Sequence, residues 1–104
     1  MNLPNIDTIE FVLFKNMDKV QQNNFINTLD AAFDKAAKLI VKEQLGSTSL
    51  LQRRMRMGYN RAGMLIDQME VLGIVGVYND AKARVVLIKT KGEINNLLNE
   101  LKSA

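Results

Sequence analysis

Apolar residues recur at helical spacing in three stretches of the chain, and these set its framework. The first is Leu29, Ala32, Phe33, Ala36 and Ile40, with Thr28 placed as an N-cap and Gly46 as a C-terminal glycine. The second is Ala62, Leu65, Ile66, Met69 and Leu72, which predicts a helix from about Asn60 to Leu72 ended by Gly73. That stripe turns Asn60, Arg61, Met64, Asp67 and Gln68 outward. The third is Ile94, Leu97, Leu98 and Leu101, opened by a capping box of Thr90 and Glu93. Between the first two, Ser47, Thr48 and Ser49 stand directly before Leu50-Leu51-Gln52-Arg53-Arg54-Met55, the capped start of a short helix that Gly58 interrupts.

Two short apolar runs, Ile74 to Tyr78 and Val85 to Ile88, flank the polar segment Asn79 to Arg84, which reads as a β-hairpin with a basic tip. The fold class predicted is therefore mainly α with a small β-hairpin. Helix, short helix, break, third helix and hairpin in that order match a winged helix-turn-helix, with extra helical segments at both ends. The N-terminal part is less ordered in its signals. Residues 1–5, with the lone Pro4, look like a lead-in; Ile6 to Phe14 fits a helix or a short strand, with helix favoured. The amide-rich Lys15 to Thr28 is a connector or a weak helix anchored by Met17, Val20 and Phe25. The division that follows is an N-terminal extension at 1–28, a winged-helix DNA-binding domain at 29–89 and a C-terminal amphipathic helix at 90–104.

The 104 residues hold no cysteine and no histidine, which removes disulfides, thiolate nucleophiles, the usual zinc ligands and the usual general base. No spaced set of carboxylates and lysines replaces them, so the expectation is a protein without catalytic residues, metal or cofactor. No apolar run reaches the roughly 18–20 residues that span a bilayer and no secretory signal is present, so a cytoplasmic protein without a membrane partner is expected.

The formal charge of +3 becomes informative only by position. Residues 1–44 hold five lysines and six acids, whereas 45–104 hold four lysines, five arginines and five acids. Arg53, Arg54, Arg56 and Arg61 fall in a stretch without an acid. A solvated helix face would also produce this pattern. On a winged helix-turn-helix, however, the outward residues of the third helix meet base edges in the major groove, while the preceding helix and the hairpin meet phosphates. Asn60 and Arg61, in the first turn, carry side chains suited to adenine and guanine edges. The simpler alternatives are that Asn60 caps the helix and Arg61 is solvated. Ser47, Thr48, Ser49, Arg53, Arg54, Arg56, Tyr59, Lys82 and Arg84 are the candidate phosphate contacts, with capping as the alternative for the hydroxyls and pairing with Asp67 or Glu70 as the alternative for one or two of Arg53, Arg54 and Arg56.

The run Ser47-Thr-Ser-Leu-Leu-Gln-Arg-Arg-Met-Arg-Met-Gly-Tyr-Asn-Arg-Ala-Gly63, followed by Leu65-Ile-Asp-Gln-Met-Glu70 and Gly73-Ile-Val-Gly76, resembles the C-terminal gamma domain of the FtsK/SpoIIIE DNA translocases. The resemblance covers about residues 30–88. It implies a winged helix that reads short G-rich sequences in double-stranded DNA and orients a motor. Some members of that family also contact and activate a tyrosine recombinase. By matching position it points to Asn60, Arg61 and Arg84. Met64 is the third base-reading position, although it stands where the family commonly has a basic residue. Val77, Ala83 and Val85 also depart from the family pattern in the hairpin.

No Walker A motif is present, so a translocase motor would be a partner or a separate part, and the chain is expected to be an excised domain or a free-standing relative. The apolar face of the 90–101 helix closes the core or is a candidate homodimer contact. Two functional readings stand side by side. One is a sequence-preferring duplex DNA-binding domain for translocation, chromosome segregation or mobile-element maintenance. The other is a winged-helix protein-interaction module with weak DNA binding or none.

Overall fold

A computed structural model describes residues 14–78 and 83–103. After helical residues 14–16 come five helices: α1, Lys19–Asn27; α2, Phe33–Glu43; α3, Thr48–Met55; α4, Tyr59–Val71; and α5, Lys91–Ser103. One continuous core runs through α2 to α5 and takes in Ile74, Val75 and Val86. Phe33, Ala36, Ala37, Ile40, Leu51, Leu65, Ile66, Met69, Ile74 and Ile94 lie at its centre, each shielded from solvent. Burying a large apolar side chain of this kind contributes about 1.5–3 kcal/mol, so this stripe-to-stripe packing dominates the fold.

The second stripe is met closely. Ala62, Leu65, Ile66, Met69 and Leu72 are all buried, and Gly73, at φ 75°, ends α4 in the left-handed conformation glycine favours. Gly73 N–H donates to Glu70 O at 3.0 Å and Ile74 N–H to Met69 O at 2.9 Å, the paired bonds of a Schellman stop. Ser47 caps α3 as expected, its hydroxyl accepting from Leu50 N–H at 3.2 Å. At α5, Thr90 Oγ1 accepts from Glu93 N–H at 3.2 Å and donates to the Glu93 carboxylate at 3.1 Å.

The small β-hairpin, and with it the winged arrangement, is not what the described residues form. They contain no strand. Two isolated antiparallel bridges take its place, Val75 with Val86 and Gly46 with Arg84. The reason is that the returning segment divides its pairing. Gly76 N–H donates to Val85 O and Leu87 N–H to Ile74 O, both at 2.8 Å, while Arg84 pairs instead with the chain before α3. A ladder requires successive pairs between the same two segments. The proposed hairpin tip falls mostly on residues 79–82, which lie outside the described residues, as does Lys82. The lead-in at 1–5 and all but the last residue of the Ile6–Phe14 stretch lie outside them too.

Other expectations change or narrow to one of their alternatives. Thr28 closes α1 rather than opening α2, which begins at Phe33 without a side-chain cap. Gln44, not Gly46, ends α2: it adopts φ 51°, and its amide donates to Val41 O at 2.8 Å and Ile88 O at 2.9 Å. The amide-rich 15–28 stretch forms a true helix because Asp18 and Gln21 make a reciprocal capping box. Val20 does not anchor it, being 66% exposed, whereas Phe25 packs edge-on to Phe14. Finally, α5 places Ile94, Leu98 and Leu101 against the chain's own core, and Lys102 bonds Asp34 of α2 at 2.8 Å. The face considered for a homodimer is thus covered from within.

Candidate nucleic-acid interface

Three residues, 56–58, join α3 to α4, and the left-handed backbone in this turn falls on Arg56, at φ 53°. Gly58 is extended and acts as the N-cap of α4, with no side-chain cap hydrogen bond. Asn60 therefore does not cap the helix. The amides of the first turn of α4 point outward without a capping side chain, which leaves a partial positive charge at that end.

Thr48, Ser49 and Gln52 of α3 and Tyr59, Asn60, Gly63, Met64 and Asp67 of α4 line one groove, closed off by Gly46, Tyr78 and Arg84. Asn60, Met64 and Asp67 share a face of α4 because they are spaced by about one turn each. Asn60 and Asp67 are exposed, and Met64 is 44% exposed. Tyr59 stands at the rim, 70% exposed. Gln52, three residues from Ser49, joins this face by the same spacing rule, and sequence reasoning had the information to include it.

The predicted site residues divide sharply once their partners are known. Ser47 is buried and its hydroxyl is engaged, capping Leu50 N–H and lying 2.9 Å from Ser49 Oγ, so it belongs to the fold rather than to the surface. Arg53 is exposed, with Nε donating to Ser49 O at 3.3 Å. Arg54 makes a loose pair with Glu43 at 3.8 Å. Arg56 is exposed and makes no ion pair among the described residues.

Arg84 is drawn inward. Its guanidinium donates closely to Glu70, to Asp67 at 2.8 Å and to Gly76 O at 3.4 Å, and only 14% of its side chain remains exposed. Its main chain is pinned as well, Arg84 N–H donating to Gly46 O at 2.9 Å. Gly46 is required by that approach, since a Cβ there would sit 2.5 Å from Arg84 O. This arginine acts first as a bolt between α4 and the returning segment.

Arg61 is also paired, with a residue that sequence reasoning did not connect to it. Asp30, in the turn before α2, accepts from Arg61 Nε at 2.8 Å and from Nη2 at 2.7 Å. The arginine's hydrogen bonds, with a further one from Ala32 N–H, hold the Asp30 carboxyl down at about 2. The same carboxylate raises Arg61 above the ordinary guanidinium value. Gln68, expected outside, is turned inward: its amide donates to Thr28 O at 3.2 Å and its Oε1 is buried without a partner among the described residues.

Among the described residues no helix is long and apolar enough to cross a membrane. The family model of the Ftsk gamma domain matches residues 27–89, which contain the whole groove. A DNA translocase FtsK of Chlorobaculum tepidum is 46% identical over 72 residues, covering 69% of this chain and 9% of that protein. A DNA translocase FtsK of Bacillus cereus is 52% identical over 59 residues, 57% of this chain and 7% of the relative. A DNA translocase SftA of Bacillus subtilis is 41% identical over 83 residues, 80% of this chain and 9% of the relative. The chain thus spans less than a tenth of the length of these relatives.

Proposed function

The chain belongs to the Ftsk gamma domain family, and from that premise we propose that it binds double-stranded DNA with sequence preference, in the service of DNA translocation, chromosome segregation or mobile-element maintenance. The outer face of α4 enters the major groove, with Asn60 and Arg61 toward base edges and Met64 against an apolar feature such as a thymine methyl. Thr48, Ser49, Arg53, Arg56 and Tyr59 meet the flanking phosphates. The observation that carries this reading is the exposed face of α4 from Asn60 to Asp67, set beside the hydroxyl-bearing start of α3 in a single groove. No catalytic step is part of the proposal.

The paired state of Arg61 and Arg84 lowers the number of cations free to displace counterions. With about two to four phosphate contacts, the slope of log K against log salt is expected at about −2 to −4. Fluorescence anisotropy on a labelled random duplex between 50 and 200 mM salt, followed by selection of sites from a random duplex pool, tests it. A recovered consensus and a slope in that range support the reading. Absence of duplex binding at low salt overturns it. The exposed Met64 and Tyr59 favour the second reading, a protein-contacting module directed at a recombinase or motor, in the event of such a blank result.

A further inference from the structure

Among the described residues, Arg61 is held along one edge only. Asp30 takes Nε and one N–H of Nη2, a side-on grip that uses two of the five guanidinium donors. The end-on pair, on Nη1 and the far side of Nη2, stays open, and half of the side chain (51%) is exposed. Asp30 is itself fixed. Its Oδ1 also accepts from Ala32 N–H at 2.8 Å, its main-chain oxygen accepts from Phe33 N–H at 2.9 Å, and its side chain is only 12% exposed. Since Phe33 and Ala36 anchor α2 in the core, the carboxylate is fastened to the core-anchored start of that helix.

We propose that Asp30 is the positioning residue for Arg61, gripping its side edge so that its end edge is presented from the first turn of α4 to the O6 and N7 of a guanine in duplex DNA. The inference rests on the DNA-binding reading above and assigns a role to a residue outside the groove. An arginine without this support would swing freely and serve as a general phosphate ligand. With it, the neighbouring carboxylate weakens attraction to phosphate while the fork keeps one direction. Asp30 therefore lowers affinity for arbitrary DNA and raises discrimination, which a purely structural ion pair would not do.

The test compares the full chain with Asp30→Asn, Arg61→Lys and the double variant, on the best duplex from the selection and on a scrambled duplex of equal composition. Asp30→Asn is expected to reduce the ratio of selected to scrambled affinity by roughly 5- to 150-fold, with scrambled binding unchanged or tighter. Arg61→Lys keeps the charge but lacks a fork, and is expected to lose the ratio similarly, while the double variant loses no more than the larger single loss. The Arg61 Nε–H resonance, protected in the wild type, is expected to lose protection in Asp30→Asn.

An equal gain on both duplexes for Asp30→Asn means a simple charge effect and overturns the proposal. So does an intact ratio in either single variant, which includes the case of Arg61 meeting only a phosphate. If Asp30→Asn melts below the assay temperature, Arg61→Lys decides, because it leaves the bond from Ala32 N–H to Asp30 in place. Failure of the wild type to bind any duplex overturns the functional reading as well. Wild-type discrimination that survives these changes overturns this inference alone.

Discussion

Gly46→Ala is expected to be among the most damaging single-methyl changes in this domain. The backbone at Gly46 is not left-handed, so the cost does not arise from its own conformation. It arises from the neighbour: the new Cβ would lie 2.5 Å from the carbonyl oxygen of Arg84, 3.1 Å from its carbonyl carbon and 3.2 Å from its Cβ. These are not flexible side-chain ends that can step aside. Arg84 is bonded through its guanidinium to Glu70 and Asp67 and through its amide to Gly46 O, so relief of the clash must open the bridge or strain the ion pairs. Overpacking against a fixed neighbour costs about 1–3 kcal/mol, and the bridge hydrogen bond adds about 1 kcal/mol, for a total of about 2–4 kcal/mol. Against the roughly 5–15 kcal/mol available to a domain, that lowers Tm by about 10–25 °C. Far-UV circular dichroism melts, with urea titration at 25 °C, measure it. The control is Gly63→Ala, inside α4, where a Cβ meets nothing within 4 Å and replacing glycine in a helix gains about 0.5–1 kcal/mol. A Tm within about 3 °C of wild type for Gly46→Ala, or equal effects at the two glycines, would refute the argument.

Arg84→Leu separates the bolt from a phosphate contact: it is expected to cost about 3 kcal/mol, the lower end for breaking a buried pair, while the salt slope of duplex binding stays unchanged at temperatures where the variant is folded. A slope shallower by about 0.9 with an unchanged melt would instead make Arg84 a phosphate ligand. The second expectation concerns acid. The Asp30 carboxyl lies at about 2 when folded, below its ordinary 3.8, so the Asp30–Arg61 pair stabilises the fold fully above about pH 4 and loses that contribution as pH falls toward 2. Arg61 is half exposed, so solvent screening keeps that contribution small. Urea midpoints at pH 5 and pH 2.5 should show a larger acid loss in the wild type than in Asp30→Asn, which keeps the other carboxylate pairs, and equal losses in both would sink the assignment.

What could be read from the chain and what could not follow from the range of each interaction. The α4 stripe, the Ser47 cap, the Gly73 stop and the Thr90–Glu93 pair are all set within a turn or two of sequence, and all appear where local spacing puts them. The Asp18–Gln21 box was equally local, yet the run of amides around it masked a usable helix start. The ion pairs are different in kind. Asp30 and Arg61 are separated by 31 residues and Arg84 and Glu70 by 14, and nothing in the periodicity of either segment encodes the meeting. Gln68 shows the same limit: a polar side chain on a nominally outer position turns inward because Thr28 O, 40 residues away, accepts from it. The hairpin expectation failed for a related reason. The short apolar runs at 74–78 and 85–88, rich in β-branched residues, describe segments willing to extend, but Gly46 competes for Arg84 and divides the pairing.

On the proposed reading, these pairings bear on how affinity for DNA is built. A count of charges assigns four clustered arginines to the interface, and each free one would release counterions on meeting a phosphate. Here Arg61 already faces a carboxylate, Arg54 lies near Glu43, and Arg84 is enclosed by two acids, so much of the basic excess is neutralised within the molecule. On the proposed reading, a surface arranged this way is expected to bind arbitrary DNA weakly and to depend less on salt than its sequence suggests. Its remaining resources are directional: the fork of Arg61, the amide of Asn60 and the shape of the groove beside Met64. Weak general attraction with directional contacts favours a high ratio of specific to non-specific binding at modest absolute affinity. For a domain that is less than a tenth of its relatives' length, modest affinity is sufficient if the rest of such a protein keeps DNA close, because tethering raises the effective concentration without any new contact.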